Sequence, residues 1–405
     1  MNIYETAKKA KEELVRVRRY LHQHPEASMK EFQTTDYIRS YLDEKQIPWI
    51  PAGETGTVAV INGNTSGRVI GLRGDIDALE MDELRESPYC SQNPGLMHAC
   101  GHDGHTASLL GAAVYLQEHR NEIPGTVKLI FQPGEENGKG ARSVVESGSI
   151  DDVEGIFGLH VSSSLPTGTA TIRKGVMSSA NDKFKIRIKG KGCHGSAPQN
   201  GADALLAASA LAQTLQTVIS RESDPLKPTV MTIGILQSGT AFNILPENAY
   251  MEGSIRVLEE AQREINRRAI RRMAESTAEA YRCKADVEFE ITAKVVYNDS
   301  FLTDVAVSAS EKVLGDGMVT EQPLSLGAED FAEYLDVCPV TYLNVGSRNE
   351  ELGITAPHHH GNFDIDEDCL PISMAIYVQF VYDYFSKFKT RSRVLARDSG
   401  RHQPT

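Results

Sequence analysis

The chain has 405 residues, 24% of them charged and 40% hydrophobic, with a formal net charge of −13. That length exceeds one ordinary core and predicts two domains, while the acidic balance argues against nucleic acid or an anionic membrane as a partner. The six cysteines, Cys90, Cys100, Cys193, Cys283, Cys338 and Cys369, are scattered without a CxxC pair, which fits a reducing, cytoplasmic setting.

Residues 1–21 alternate charged and apolar side chains without the apolar stretch of a signal peptide, and no run reaches the roughly 18 apolar residues of a membrane span. Helical spacing of apolar residues runs from Tyr4 to Gln23 and stops at His24-Pro25-Glu26. A second helix is predicted over 31–46. Short buried strands follow at 58–61 and 69–72, the second leading into Arg73-Gly74-Asp75-Ile76-Asp77. A helix over 103–118 precedes a strand over 127–132 that enters Pro133-Gly134-Glu135-Glu136 directly. A helix over 141–147 and a strand over 155–159 then deliver His160. Strands alternate with helices, and polar residues gather just past the strand ends, where open α/β sheets bind ligands.

Beyond Ser178 the texture changes. Phe184, Ile186 and Ile188 alternate with Lys183, Lys185, Arg187 and Lys189, the pattern of a half-buried strand. A helix over 202–219, strands over 229–236 and 249–257, a helix over 259–281 and a strand over 285–291 complete a βαββαβ order, that of a ferredoxin-like α+β unit. Helices of the first texture return at 305–314, 329–335 and 372–386. The second domain, 181–294, is therefore read as an insertion in a discontinuous α/β domain made of 1–180 and 295–386. Residues 387–405 hold six Lys or Arg against one Asp and no apolar period, so this basic tail is expected to be disordered.

The stretch Met97-His98-Ala99-Cys100-Gly101-His102-Asp103-Gly104-His105 concentrates three histidines, a cysteine and an aspartate. A thiolate and an imidazole two residues apart can reach one ion, with Asp103 orienting an imidazole behind them. Read alone, the pair fits a buried free cysteine in a polar turn better than a metal site. Further donors follow at Glu136, His160 and one of His358, His359 and His360, all at predicted strand ends or loops. Thiolate, imidazole and carboxylate together suit zinc or another divalent transition ion. Five or six donors suit two adjacent ions better than one. Glu135 and Glu136 crowd each other, so one gains from a cation and the other is left for proton transfer.

Asp75-Ile76-Asp77-Ala78-Leu79, the 98–105 stretch, Gln132-Pro133-Gly134-Glu135-Glu136, Gly158-Leu159-His160 and the 190–198 segment resemble the metal-dependent amidohydrolases of the aminoacylase/carboxypeptidase clan. The nearest subgroup holds hippurate hydrolases, N-acyl-amino-acid amidohydrolases and auxin-conjugate hydrolases. The resemblance spans 4–386 with the motifs in family order. It implies a catalytic domain with a binuclear metal site and an inserted lid domain that dimerises. By motif position it implies Cys100, His102, Glu136 and His160 as metal ligands and Glu135 as general base. The family's last ligand lies four residues before an aromatic; Phe363 places it at His359, with Gly361 standing where proline is usual. Asp75-Ile76-Asp77 replaces the wider clan's His-x-Asp, which leaves Asp77 behind the ligands rather than among them. In the lid, His194 matches the histidine that completes the neighbouring subunit's site, and Asn243 and Arg256 match substrate contacts. A turn residue at Asn243 and a surface ion pair at Arg256 are the competing readings.

The resulting expectation is a cytoplasmic, homodimeric hydrolase that splits N-acyl amino acids with two divalent ions, zinc or manganese, with cobalt or nickel as substitutes. A dipeptidase with the same site, a hydrolase with Cys100 as nucleophile, and a non-catalytic dimeric binding protein are the competing functions.

Overall fold

A computed structural model describes residues 2–399, with side chains as far as residue 388. The chain divides into two units. The first comprises Met1–Met177, Tyr297–Pro323 and the chain from Asp330 onward, and the second Ser178–Val296 with Leu324–Glu329.

In the first unit the described residues build a ten-stranded mixed sheet. Its middle strands are Gly56–Asn62, Thr126–Gln132, Val69–Asp75, Ile156–Pro166 and Val340–Arg348, in that spatial order. Val69–Asp75 pairs in parallel with both Thr126–Gln132 and Ile156–Pro166, and Val340–Arg348 also runs parallel to Ile156–Pro166. They are buried along most of their length, as parallel strands covered on both faces require. The helix His102–Glu118 is buried on nearly every side, so it lacks the polar stripe of a surface helix. Its small residues permit this: a side chain at Gly111 would press within 2.5 Å of Leu14. The core joins Leu72, Leu109, Leu129, Phe157, Leu343, Tyr377 and Phe380.

In the second unit, Ala180–Lys189, Thr229–Ser238, Asn248–Val257 and Lys284–Ala293 form a four-stranded antiparallel sheet. The spatial order, second-third-first-fourth along the chain, is the ferredoxin-like one. Helices Ala204–Thr217 and Glu260–Ala280 bury Leu211, Leu215, Ile270 and Ala274 against Phe184, Ile186 and Met251. The expected α/β domain with a separate α+β unit is what the chain forms.

Three expectations change. The predicted helix over 4–23 is two helices, Ile3–Lys9 and Lys11–Gln23, meeting at Ala10. The strand Val340–Arg348 escaped sequence reading because Asn344 and Gly346 interrupt a short apolar run, though it pairs with the strand bearing His160. The last helix runs Cys369–Ser399 rather than ending at 386. Residues 387–399 contain no glycine or proline to stop it; residues 400–405 lie outside the described part.

Candidate metal centre

Parallel register sets Asp75 opposite Gln132 and Arg73 opposite Gly158. The residues just beyond, Asp77, Glu135, Glu136 and His160, therefore emerge at one edge of the sheet. The helix His102–Glu118 starts at the same edge. Its preceding residue, Gly101, has φ +90°, and a Cβ there would come within 2.4 Å of Val161. Only glycine allows that turn, which places Cys100 and His102 on either side of it. His359 arrives from the opposite end of the chain with φ +60°. Its N–H donates to the Ala99 carbonyl at 2.9 Å, beside Cys100.

The donor atoms converge in overlapping groups: Cys100, His102 and His160; Cys100, Glu136 and His359; and His102, Glu135 and Glu136, each with its atoms within 4.8 Å of one another. Cys100 Sγ lies 3.4 Å from His160 Nε2. His359 Nε2 is 3.4 Å and His102 Nε2 4.0 Å from Glu136 Oε1. The far side of each ring is committed. His160 Nδ1 donates to the Val161 carbonyl at 2.6 Å, and His102 Nδ1 lies 3.1 Å from Asp77 Oδ1 and 3.0 Å from the Asp77 carbonyl. With the proton held on Nδ1, each Nε2 lone pair faces the cluster, as a metal-binding histidine needs. His102 Nε2 and Glu136 Oε1 are buried without a hydrogen-bond partner. Orphaned polar atoms of this kind require a partner, and the mixed sulfur, nitrogen and oxygen set fits a divalent transition ion.

The electrostatics agree. Burial disfavours charge on His102, but Asp75 and Cys100 outweigh it and hold the imidazole well above its ordinary pKa. Hydrogen bonds to Cys100 and then to Glu136 push His359 up to about 10. A donor set negative enough to retain those protons equally attracts a cation, which must displace them. Burial, then the imidazoles of His105 and His358, hold His160 well below the usual value, so its nitrogen is a free donor. Burial alone would raise Asp77, and the hydrogen bond from His102 overrides it, keeping the carboxyl below its usual range.

His105, His358 and His360 have other partners. His105 bonds Asp75 Oδ1 at 2.5 Å through Nδ1 and accepts the Val161 N–H at 2.8 Å through Nε2. His358 accepts the Ser163 N–H at 3.1 Å, and His360 the Asn362 N–H at 3.1 Å. Of the three consecutive histidines, His359 is the one in the cluster. Gly361 has its own reason: the Leu84 N–H donates to its carbonyl at 2.7 Å, and a Cβ would stand 2.6 Å from Leu84 Cγ. Asp103 does not orient a cluster imidazole as expected. It is buried with Arg18 Nε at 2.7 Å and His22 Nδ1 at 2.8 Å, because the helix turns it toward Lys11–Gln23.

Residues 71–383, including the entire cluster, match the model of peptidase family M20/M25/M40. The chain belongs to this family. It is 38% identical over 368 residues to an N-acetylcysteine deacetylase of Bacillus subtilis, covering 90% of this chain and 95% of the relative. It is 36% identical to IAA-amino acid hydrolase ILR1-like 4 of Arabidopsis thaliana, covering 93% and 86%. Among solved structures, a Bacillus subtilis protein described as a dinuclear metal binding peptidase of the M20 family superposes with a TM-score of 0.82 at 35% identity, covering 92% of this chain and 98% of that one. M20 enzymes are peptidases, so this chain is a hydrolase of amide bonds.

The other anticipated residues of this M20 chain lie in the second unit. The strands Cys193–His194 and Ile244–Leu245 pair, with His194 opposite Ile244 and the Gly195 N–H donating to the Asn243 carbonyl at 2.8 Å. His194 and Asn243 thus share one exposed two-stranded projection. His194 Nδ1 lies 2.7 Å from the Ser196 hydroxyl and 3.2 Å from its N–H. Arg256 donates to the Leu326 carbonyl at 2.7 Å. Sequence reasoning missed Glu31 and Ser28, which bond the cluster's supports from a loop near the N-terminus. No local pattern connects residues 28–31 with 134, because only the fold brings them together.

Proposed function

We propose that the chain hydrolyses the amide bond of N-acyl amino acids, releasing a carboxylic acid and a free amino acid. The observation that carries this reading is the convergence of Cys100, His102, Glu136, His160 and His359 beside Glu135, in a chain whose relatives are named for that reaction. In this reading those five side chains would hold two divalent ions, zinc or manganese. When bound, such ions polarise the amide carbonyl and lower the pKa of water toward neutrality. Asp77 holds the His102 ring in place. Glu135 takes the proton from the attacking water at its carboxylate and hands it to the leaving nitrogen. His194 of a second copy supplies an N–H donor for the developing oxyanion. Asn243 and Arg256 contact the substrate, Arg256 through a guanidinium fork that suits the amino-acid carboxylate.

Dimerisation of the second unit is part of this reading. The edge strand Thr229–Ser238 carries no charged residue and exposes Val230, Ile235 and Leu236. The opposite edge, Lys284–Ala293, is guarded by Lys284, Asp286, Glu288 and Glu290. An uncharged open edge is the one suited to pairing. A cytoplasmic location is supported by six unpaired cysteines; among the described residues no helix is long and apolar enough to cross a membrane. Cys100 as a nucleophile would leave the convergence of Glu136 and His359 on its sulfur unexplained.

The test is a substrate panel of N-acetyl and aromatic N-acyl amino acids beside dipeptides, with released amino acid measured on metal-reconstituted protein. N-acyl amino acids are expected to turn over fastest. Faster turnover of dipeptides would make the enzyme a dipeptidase, and no turnover of either class would refute the reading.

A further inference from the structure

The turn bearing Glu135 is pinned on both sides by buried carboxylates. The Gly134 N–H donates to Glu31 Oε1 at 2.8 Å, and the Glu136 N–H to Asp77 Oδ2 at 3.0 Å. Glu31 is 0% and Asp77 1% exposed. Glu31 Oε1 also accepts the Met29 N–H at 2.8 Å, and Oε2 accepts the Thr55 hydroxyl at 2.7 Å. Asp77 Oδ2 accepts the Ser28 hydroxyl at 2.7 Å. Residues 28–31 therefore bond to both clamps.

The turn itself is tightly constrained. Pro133 restricts φ before it. Gly134 has φ +57°, and a Cβ there would lie 2.4 Å from Met29 Sδ. The Gly134 carbonyl accepts the N–H groups of Lys139 at 3.2 Å and Gly140 at 3.0 Å. Glu135 is thus the one residue of the turn lying between two carboxylate-held amides. An ionisable group buried this completely is expensive unless its donors satisfy it, and burial pushes the Glu31 carboxyl up. One of its three donors comes from the Glu135 turn, about a hundred residues along the chain.

We propose that Glu31 is a positioning residue for amide hydrolysis: by fixing the Gly134 amide it holds the Glu135 backbone so that the base carboxylate meets its proton in one geometry. This rests on the reading of Glu135 as the base. Glu31 touches neither the donor cluster nor a substrate; it acts through Gly134.

The experiment compares E31A, E31Q and T55V, and E31A in an E135Q background, on the metal-reconstituted full chain with the N-acyl amino acid turned over fastest in the panel. E31A is expected to lower kcat by about 10- to 100-fold, the usual effect of losing a supporting hydrogen bond behind an active site, with KM and metal content near wild type. E31Q keeps an oxygen for Gly134 and should retain most of kcat. T55V removes a different bond to the same carboxylate, so it should lower Tm while kcat holds. In the E135Q background E31A should cost little more, because positioning a group that no longer takes protons gains nothing. Should E31A not fold, E31D carries the same test, since it keeps the charge but draws it back from Gly134.

The proposal is overturned if E31A, or E31D in its place, has wild-type kcat, if T55V loses kcat as far as E31A, or if E31A costs as much in E135Q as in the parent. Failure of the underlying reading shows separately, as an E135Q enzyme that remains fully active.

Discussion

At the scale of single residues, the two tasks proposed for the adjacent carboxylates rest on their different surroundings. Glu136 Oε1 is buried among His102 and His359, whereas Glu135 sits between the two pinned amides. E135Q is therefore expected to bind metal nearly normally while kcat falls by roughly 10²–10⁴, the ordinary contribution of a positioned acid–base group. E136Q should instead lose metal affinity first, with part of the activity recovered in excess metal. Metal content and kcat measured side by side decide it: E135Q losing metal while E136Q keeps it would reverse the roles. Much of this site was legible in the sequence because its donors fall in short runs at strand ends. Phe363 points to His359 among His358, His359 and His360, and each of the three rings has its own partner. What a sequence cannot show is a bond such as Glu31 to Gly134, whose ends are set by packing and whose residue types are unremarkable in isolation.

At the scale of elements, the helix start that presents Cys100 and His102 is tied down by Arg18. This fully buried guanidinium reaches from Lys11–Gln23 to Asp103 at 2.7 Å and Asp364 at 2.7 Å, joining the loop that carries His359 to the helix that carries His102. R18M would leave Asp103 with His22 and Asp364 with Arg85 as their remaining basic partners, so a loss of up to about 3–5 kcal/mol in denaturant unfolding is expected. An unchanged midpoint would show that water or a neighbouring base replaces Arg18. The clamp also weakens in acid. Burial opposes ionisation of Asp103 and Asp364, Arg18 overrides it, and both stay below the usual carboxylate range. Their folded pKa values are depressed, so the stability they contribute is complete above the unfolded value of about 3.9 and is lost as pH falls through the folded values. Element boundaries followed periodicity well where a face is amphipathic. They failed where periodicity is silent: at Ala10, which ends one helix and precedes another without a glycine or proline, and at Val340–Arg348, whose burial comes from its neighbours.

At the scale of the whole molecule, the chain carries its metal-donor cluster in one unit and the projection with His194 and Asn243 in the other. If His194 serves the site of a second copy, H194A and E135A, each inactive alone, should regain part of their activity once mixed and allowed to exchange subunits. A mixed dimer then contains one site with both residues intact. Exchange without recovered activity would rule out that role for His194. The division into two units was legible because a half-buried strand pattern replaces the α/β texture at 183–189, whereas the short return of 324–329 to the second unit has no periodicity to announce it. The central claim, that this M20 chain is a metal-dependent hydrolase of N-acyl amino acids, is tested most directly by chelation. The purified chain is stripped of metal, and release of amino acid from its best N-acyl substrate is followed as zinc or manganese is returned. Activity is expected to vanish on stripping and to return as about two ions per chain are bound. Full activity in protein shown by elemental analysis to hold no transition metal would contradict the account.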